Sequence, residues 1–108
     1  MASVDFAYLA SYAAGDRQVI VEVLGLFQGQ AELWATQLAD PGTDWRDLAH
    51  TIKGAARGIG ATALGNVADM VEQGAADRVP ALKAALEEAL SDIAAYLGGP
   101  QGTNTASV

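Results

Sequence analysis

The sequence predicts an all-α fold: an antiparallel four-helix bundle preceded by a short extra helix. Three observations carry this. Apolar residues recur with a 3.6-residue period in successive segments, and no segment alternates with the period of two that a half-buried strand requires. The hydrophobic fraction of 51% is alanine-rich and holds few aromatics (two Phe, three Tyr, two Trp). Alanine gives up no side-chain entropy in a helix, so such a composition favours packed helices joined by short connections.

The first helix is expected from Asp5 to Ala13, stopping near Gly15. Asp16 can cap the second, long helix, on which Ile20, Val23, Leu24, Phe27, Ala31, Trp34 and Leu38 form one stripe. Asp40-Pro41-Gly42-Thr43 is turn chemistry and ends it. Thr43 or Asp44 caps the third helix, expected to reach Ile59 with Gly60 at its end. The fourth is expected from Ala61 to Ala75, burying Leu64, Val67, Ala68 and Val71. After a break near Asp77, Pro80 suits the first turn of the last helix, where Leu82, Leu86, Ala89, Ile93 and Leu97 share a side and Gly98 stops it. Residues 1–98 thus make one domain. From Gly98-Gly99-Pro100 onward the chain can neither continue a helix nor bury apolar surface, so 99–108 is read as a disordered tail.

Length and charge narrow the functional classes. A chain of 108 residues has room for one modest core. With no cysteine, disulfides, thiolate metal sites and thiol catalysis are excluded. A net charge of −7 with only six Lys and Arg disfavours nucleic acid as a partner. No stretch approaches the roughly 20 uninterrupted apolar residues of a membrane span. Met1 to Gly15 carries Asp5 and no Lys or Arg, unlike a secretory signal. A cytoplasmic monomer is the expectation.

The third helix concentrates the chemistry. With His50 set at zero, Leu48, Ile52, Ala55 and Ile59 fall between about 140° and 200°, which defines the core side and sends the imidazole into solvent. On the same wheel Lys53 lies near about −60°, Arg57 near −20° and Arg46 near −40°, while Gly54 comes at about +40° and Gly58 at about +80°. An acidic chain has therefore gathered half its cations around its single histidine. Such cations would disfavour ring protonation, a carboxylate partner would favour it, and neutral imidazole is the nucleophilic form. The cations would also stabilise a phosphoryl group. A glycine inside a helix costs about 1 kcal/mol against alanine, so Gly54 beside the ring calls for a reason, and clearance for an approaching partner supplies one. Arg46 is read as pairing with nearby acids.

The run Ala49-His50-Thr51-Ile52-Lys53-Gly54, followed by Gly60-Ala61, Leu64 and Val71-Glu72, resembles the histidine phosphotransfer (Hpt) domain of two-component phosphorelays. Ala55 and Ala56 stand where that family often has small hydroxyl residues, and Ala68 where it often has cysteine. The resemblance implies a phosphocarrier that accepts a phosphoryl group on His50 and exchanges it with receiver-domain aspartates of response regulators or hybrid histidine kinases. It implies Lys53 as phosphoryl stabiliser, Gly54 as steric clearance, and Glu72 as the carboxylate that accepts the Nδ1–H of His50 and leaves Nε2 free. Arg57 joins the phosphoryl-stabilising set by its place on the face alone. The domain itself needs no metal or cofactor; Mg²⁺ is expected only on the receiver.

Other readings are weaker. Gly58-Ile59-Gly60-Ala61-Thr62-Ala63 fits a loose dinucleotide-binding pattern, but that pattern needs a preceding strand, and a helix precedes it here. Trp34, Trp45 and Phe27 read as core. No kinase or phosphate-loop motif occurs, so the chain is not expected to be an enzyme that phosphorylates itself. A general-base enzyme would need a cleft and a second catalytic group beside His50. The alternative of a different class is a non-phosphorylated helical-bundle adaptor that binds a receiver or kinase; such a face has no need of Lys53 and Gly54 at these spacings.

Overall fold

Asp5, Asp16 and Asp44 each set the start of a helix. The structure, a computed structural model, describes residues 4–40 and 42–98, so the tail expected over 99–108 lies outside the described residues. Its helices are α1 (Phe6–Tyr12), α2 (Arg17–Leu38), α3 (Trp45–Gly58), α4 (Thr62–Glu72) and α5 (Val79–Tyr96), with a single 3₁₀ turn at Ala76–Arg78 before α5. Asp5 Oδ1 accepts from the Tyr8 N–H at 2.9 Å, and Asp16 Oδ1 from Gln18 and Val19 at 3.0 and 3.3 Å. Of the two candidates for α3 it is Asp44, not Thr43, that accepts from Arg46 and Asp47, at 3.1 and 3.2 Å. There is no strand among the described residues.

The ends of α3 and α4 follow one device. After α3, Gly60 takes φ +79°, its N–H donates to the Arg57 carbonyl, and the Ala61 N–H reaches back to the Ala56 carbonyl at 2.8 Å. That pair of bonds is a Schellman ending, and it needs the left-handed backbone glycine supplies. The same arrangement closes α4 at Gly74 (φ +112°), whose N–H donates to Val71 while Ala75 donates to Met70. So α4 ends at Glu72, three residues before the expected Ala75, because Gly74 is the capping glycine and not a helical residue.

Four helices close a ring of neighbours: α2 packs on α3 and α5, and α4 packs on the same two. The core inside is aliphatic, with Leu24, Ile52, Leu64, Leu82, Leu86 and Ile93 fully buried, and no polar or charged residue is buried among the described residues. Phe27 and Trp34 meet edge to face inside it, as read from the sequence, whereas Trp45 is only half-buried at its margin. Val67 and Leu97 are half-buried as well, and Gly65 of α4 is buried against Ala56 and Arg57 of α3. α1 caps one end of the ring. Its Leu9 is buried, Phe6 stacks on Tyr96 of α5 at 4.3 Å, and the Asp5 N–H donates to the Gly60 carbonyl at 2.9 Å.

The side of α3 that faces inward is wider than the wheel implied. Leu48, Ile52 and Ile59 are buried as expected, but so are Ala49 and Ala56, while Ala55 is only half-buried. The two alanines stand on the Lys53 flank of the helix. Their small side chains let α4 approach closely, and that rotates α3 so that Lys53 meets α4.

Candidate functional site

His50 projects from the middle of α3 with its side chain 66% exposed, so a partner can reach it. Across the α3–α4 seam stands Glu72, the last residue of α4, and Nδ1 of His50 lies 2.8 Å from Glu72 Oε2. Ionised carboxylate oxygens only accept, so this bond fixes the proton on Nδ1 and leaves the Nε2 lone pair facing outward. The carboxyl is held below the usual glutamate range, first by the Lys53 ammonium and then by His50, so it is ionised at neutral pH. The contact itself, suggested by the resemblance together with the place of Glu72 on the fourth helix, is thus present in the folded chain.

Lys53 is placed differently from the free cation that the helical wheel suggests. Its side chain is 19% exposed and its Nζ lies 2.6 Å from Glu72 Oε1 and 3.3 Å from Asp69 Oδ1. The contact with Asp69 is an aligned hydrogen bond, and Glu72 Oε1, sealed from water, depends on the Lys53 ammonium 2.6 Å away. These carboxylates raise the lysine pKa above its ordinary value, Glu72 most, against the opposing pull of desolvation. Asp69 in turn lies below its ordinary value, chiefly through the hydrogen bond from Gln73 Nε2 to its Oδ2 at 3.0 Å and then through Lys53. His50, Glu72, Lys53, Asp69 and Gln73 therefore form one connected polar seam, and one carboxylate bridges the imidazole and the ammonium.

The other cations diverge. Arg57 runs along α4 over Gly65, where an added Cβ would meet its Cγ at 3.2 Å, and it has no ion pair among the described residues. Its charge is felt at Asp69. Arg46 lies over the Trp45 ring at 5.1 Å with its guanidinium against Gly74, not on an acid as the sequence suggested. The cation cluster of the helical wheel resolves into one lysine tied into the seam, one arginine laid along α4 beside it and one arginine over Trp45.

On the opposite flank of His50 the surface is bare. A Cβ built on Gly54 or on Gly58 would meet nothing within 4 Å. Beyond them a shallow groove is lined by Tyr12, Leu26, Phe27, Ala55 and Ile59, and Tyr12 and Leu26 are each 71% exposed. Sequence periodicity does not pick these residues out, since it shows which side chains face the core and not which exposed apolar ones adjoin a site on another helix. Asp69 and Gln73 were missed too. Their signal, spacings of three and four on α4 from Glu72 and Asp69, is common on any helix. Among the described residues no group of three or more His, Asp or Glu side chains is arranged to hold a metal ion.

Comparison with known proteins adds a family. The profile of the Hpt domain matches residues 22–96. Among solved structures, the chain is similar to the crystal structure of histidine phosphotransferase ShpA from Caulobacter crescentus. The two share 48% identity over 96% of this chain and 98% of that one, with a TM-score of 0.80. No curated protein matches the sequence.

Proposed function

The chain belongs to the Hpt domain family, and from that premise we propose that it is a histidine-containing phosphocarrier, accepting a phosphoryl group on His50 and exchanging it with receiver-domain aspartates in a bacterial-type phosphorelay. The observation that carries this reading is the exposed imidazole whose Nδ1–H is committed to Glu72. In the forward step the Nε2 lone pair forms a bond to phosphorus as the bond from phosphorus to the aspartyl oxygen breaks, and the receiver carboxylate leaves with that electron pair. The proton stays on Nδ1, so the ring becomes cationic as it is phosphorylated. Glu72, already ionised, stands beside the charge that develops. Return of the group to an aspartate reverses the same atoms.

Phosphoryl transfer of this kind depends on positioning and charge stabilisation more than on covalent chemistry by the protein. Gly54 gives the receiver clearance, and the apolar groove of Tyr12, Leu26 and Phe27 supplies a surface against which it docks. Lys53 and Arg57 remain the candidates to meet phosphoryl oxygens. For Lys53 this requires exchanging a carboxylate contact for the phosphoryl group. Any Mg²⁺ belongs to the receiver. No described helix is long and apolar enough to cross a membrane, in keeping with a carrier that meets cytoplasmic receivers.

The test is transfer from a phosphorylated receiver. The wild-type protein should acquire an acid-labile, alkali-stable label that His50→Gln does not. A label that persists in His50→Gln overturns the site. A wild-type protein that binds receivers but takes no label is an adaptor.

A further inference from the structure

We propose that Asp69 is a positioning residue for phosphoryl transfer: anchored by Gln73, it holds the Lys53 ammonium against Glu72 and thereby keeps that carboxylate on the Nδ1 side of His50. The inference rests on the phosphocarrier reading for its role in transfer, and on geometry for the rest.

Glu72 has to do two things with one carboxylate. Oε2 accepts from the imidazole, and Oε1 is turned into the seam, out of contact with water. An ionised oxygen cut off from water needs a cation, and Lys53 at 2.6 Å is that cation. A lysine on its own is a poor fixture, because its ammonium is strongly hydrated, its stem is flexible, and a lone ion pair near solvent contributes little. Asp69 supplies what is missing, an aligned acceptor on the same face of α4, three residues before Glu72. Gln73, four residues after Asp69, donates to its other oxygen at 3.0 Å and fixes its rotamer. The order Gln73, Asp69, Lys53, Glu72, His50 thus runs from an exposed side chain to the nucleophile, each member limiting the motion of the next.

This arrangement makes a prediction opposite in sign to the simplest view of the site. If Lys53 acted only as a free cation for the incoming phosphoryl group, Asp69 would be a competitor for it, and removing Asp69 should speed transfer. If Asp69 positions, its removal frees Lys53, loosens Glu72 and lets the proton of the neutral ring redistribute to Nε2, which silences the nucleophile.

The experiment uses the intact chain and compares wild type with Asp69→Ala and Gln73→Ala. The first readout is the tautomer of His50, followed by long-range proton–nitrogen correlation at mildly alkaline pH. The second is the kcat and KM for transfer from a phosphorylated receiver. Asp69→Ala should shift the ring from the Nδ1–H form toward the Nε2–H form and lower kcat about tenfold with KM unchanged, the scale at which removal of an orienting outer partner acts. Gln73→Ala should do the same to a smaller extent, and being exposed it carries the test should Asp69→Ala fail to fold. An unaltered tautomer in the folded variants overturns the proposal whatever the rates, as does faster transfer by Asp69→Ala. A wild-type protein that takes no phosphoryl group ends the phosphocarrier reading instead, while the ring spectra still decide whether Asp69 positions His50.

Discussion

Replacing Gly54 by alanine should make the protein more stable and the carrier worse. Gly54 is in the interior of α3 with right-handed backbone, and a Cβ there would meet no atom within 4 Å. Nothing in the fold therefore opposes the substitution, and the full difference in helix propensity, about 1 kcal/mol, should appear as added stability. For a domain of this size that corresponds to a rise in Tm of roughly 4–8 °C. The same methyl points into the bare surface beside His50. A receiver that must bring its aspartyl phosphate to Nε2 is displaced by it, and a misplacement of about 1 Å can cost on the order of 10²-fold in rate. Gly54→Ala should thus lose roughly tenfold in single-turnover transfer, and the longer Gly54→Gln about 10²-fold or more, with His50 chemically intact. Thermal unfolding followed by circular dichroism and rapid-quench transfer from a phosphorylated receiver measure the two effects separately. Transfer by Gly54→Gln at the wild-type rate would refute the clearance role, and a lower Tm for Gly54→Ala would refute the claim that the space is open.

Gly60 should behave in the opposite way. At φ +79° a side chain is strained by about 1–2 kcal/mol, and its Cβ would stand 3.0 Å from the Tyr8 ring and 3.1 Å from the Asp5 carbonyl, so Gly60→Ala should lower the urea midpoint. The polar seam should give stability a pH signature. Glu72 and Asp69 titrate below their ordinary values when folded, so in the acid range the unfolded chain binds more protons. Their contribution is complete above the ordinary carboxylate values and is lost as pH falls through the depressed ones. Lys53, raised when folded, contributes fully below its ordinary value and loses the contribution as pH rises through the raised one. The difference in urea midpoint between wild type and Lys53→Met should therefore be largest on the plateau between and shrink at both ends; a difference independent of pH would contradict the pairing.

Much of this was legible before folding because it is local. Asp5, Asp16 and Asp44 cap helices by reaching amides two or three residues away, and such contacts need no tertiary context. Gly74 carried as local a signal as Gly60, but the alanines that follow it favour helix, and propensity counted along the chain outweighed the capping glycine. The place of Lys53 was not local at all. The wheel set it among the cations around His50 because its core side left out Ala49 and Ala56, whereas both are buried.

By itself the chain marked the residues on which the candidate site is built and roughly where they stand: an imidazole opposite the apolar stripe of α3, a glycine beside it and, through the family resemblance, a carboxylate twenty-two residues on. Periodicity and capping are properties of one helix, and one helix suffices to place His50 in water. The partners of each charge depend on how two helices meet, which follows from the volumes of the side chains between them. Only the packed α3–α4 seam decided that Glu72 serves both His50 and Lys53, that Asp69 and Gln73 secure the lysine, and that Arg57 lies along α4, because charges separated in sequence find each other only after the core has set the distance between their helices.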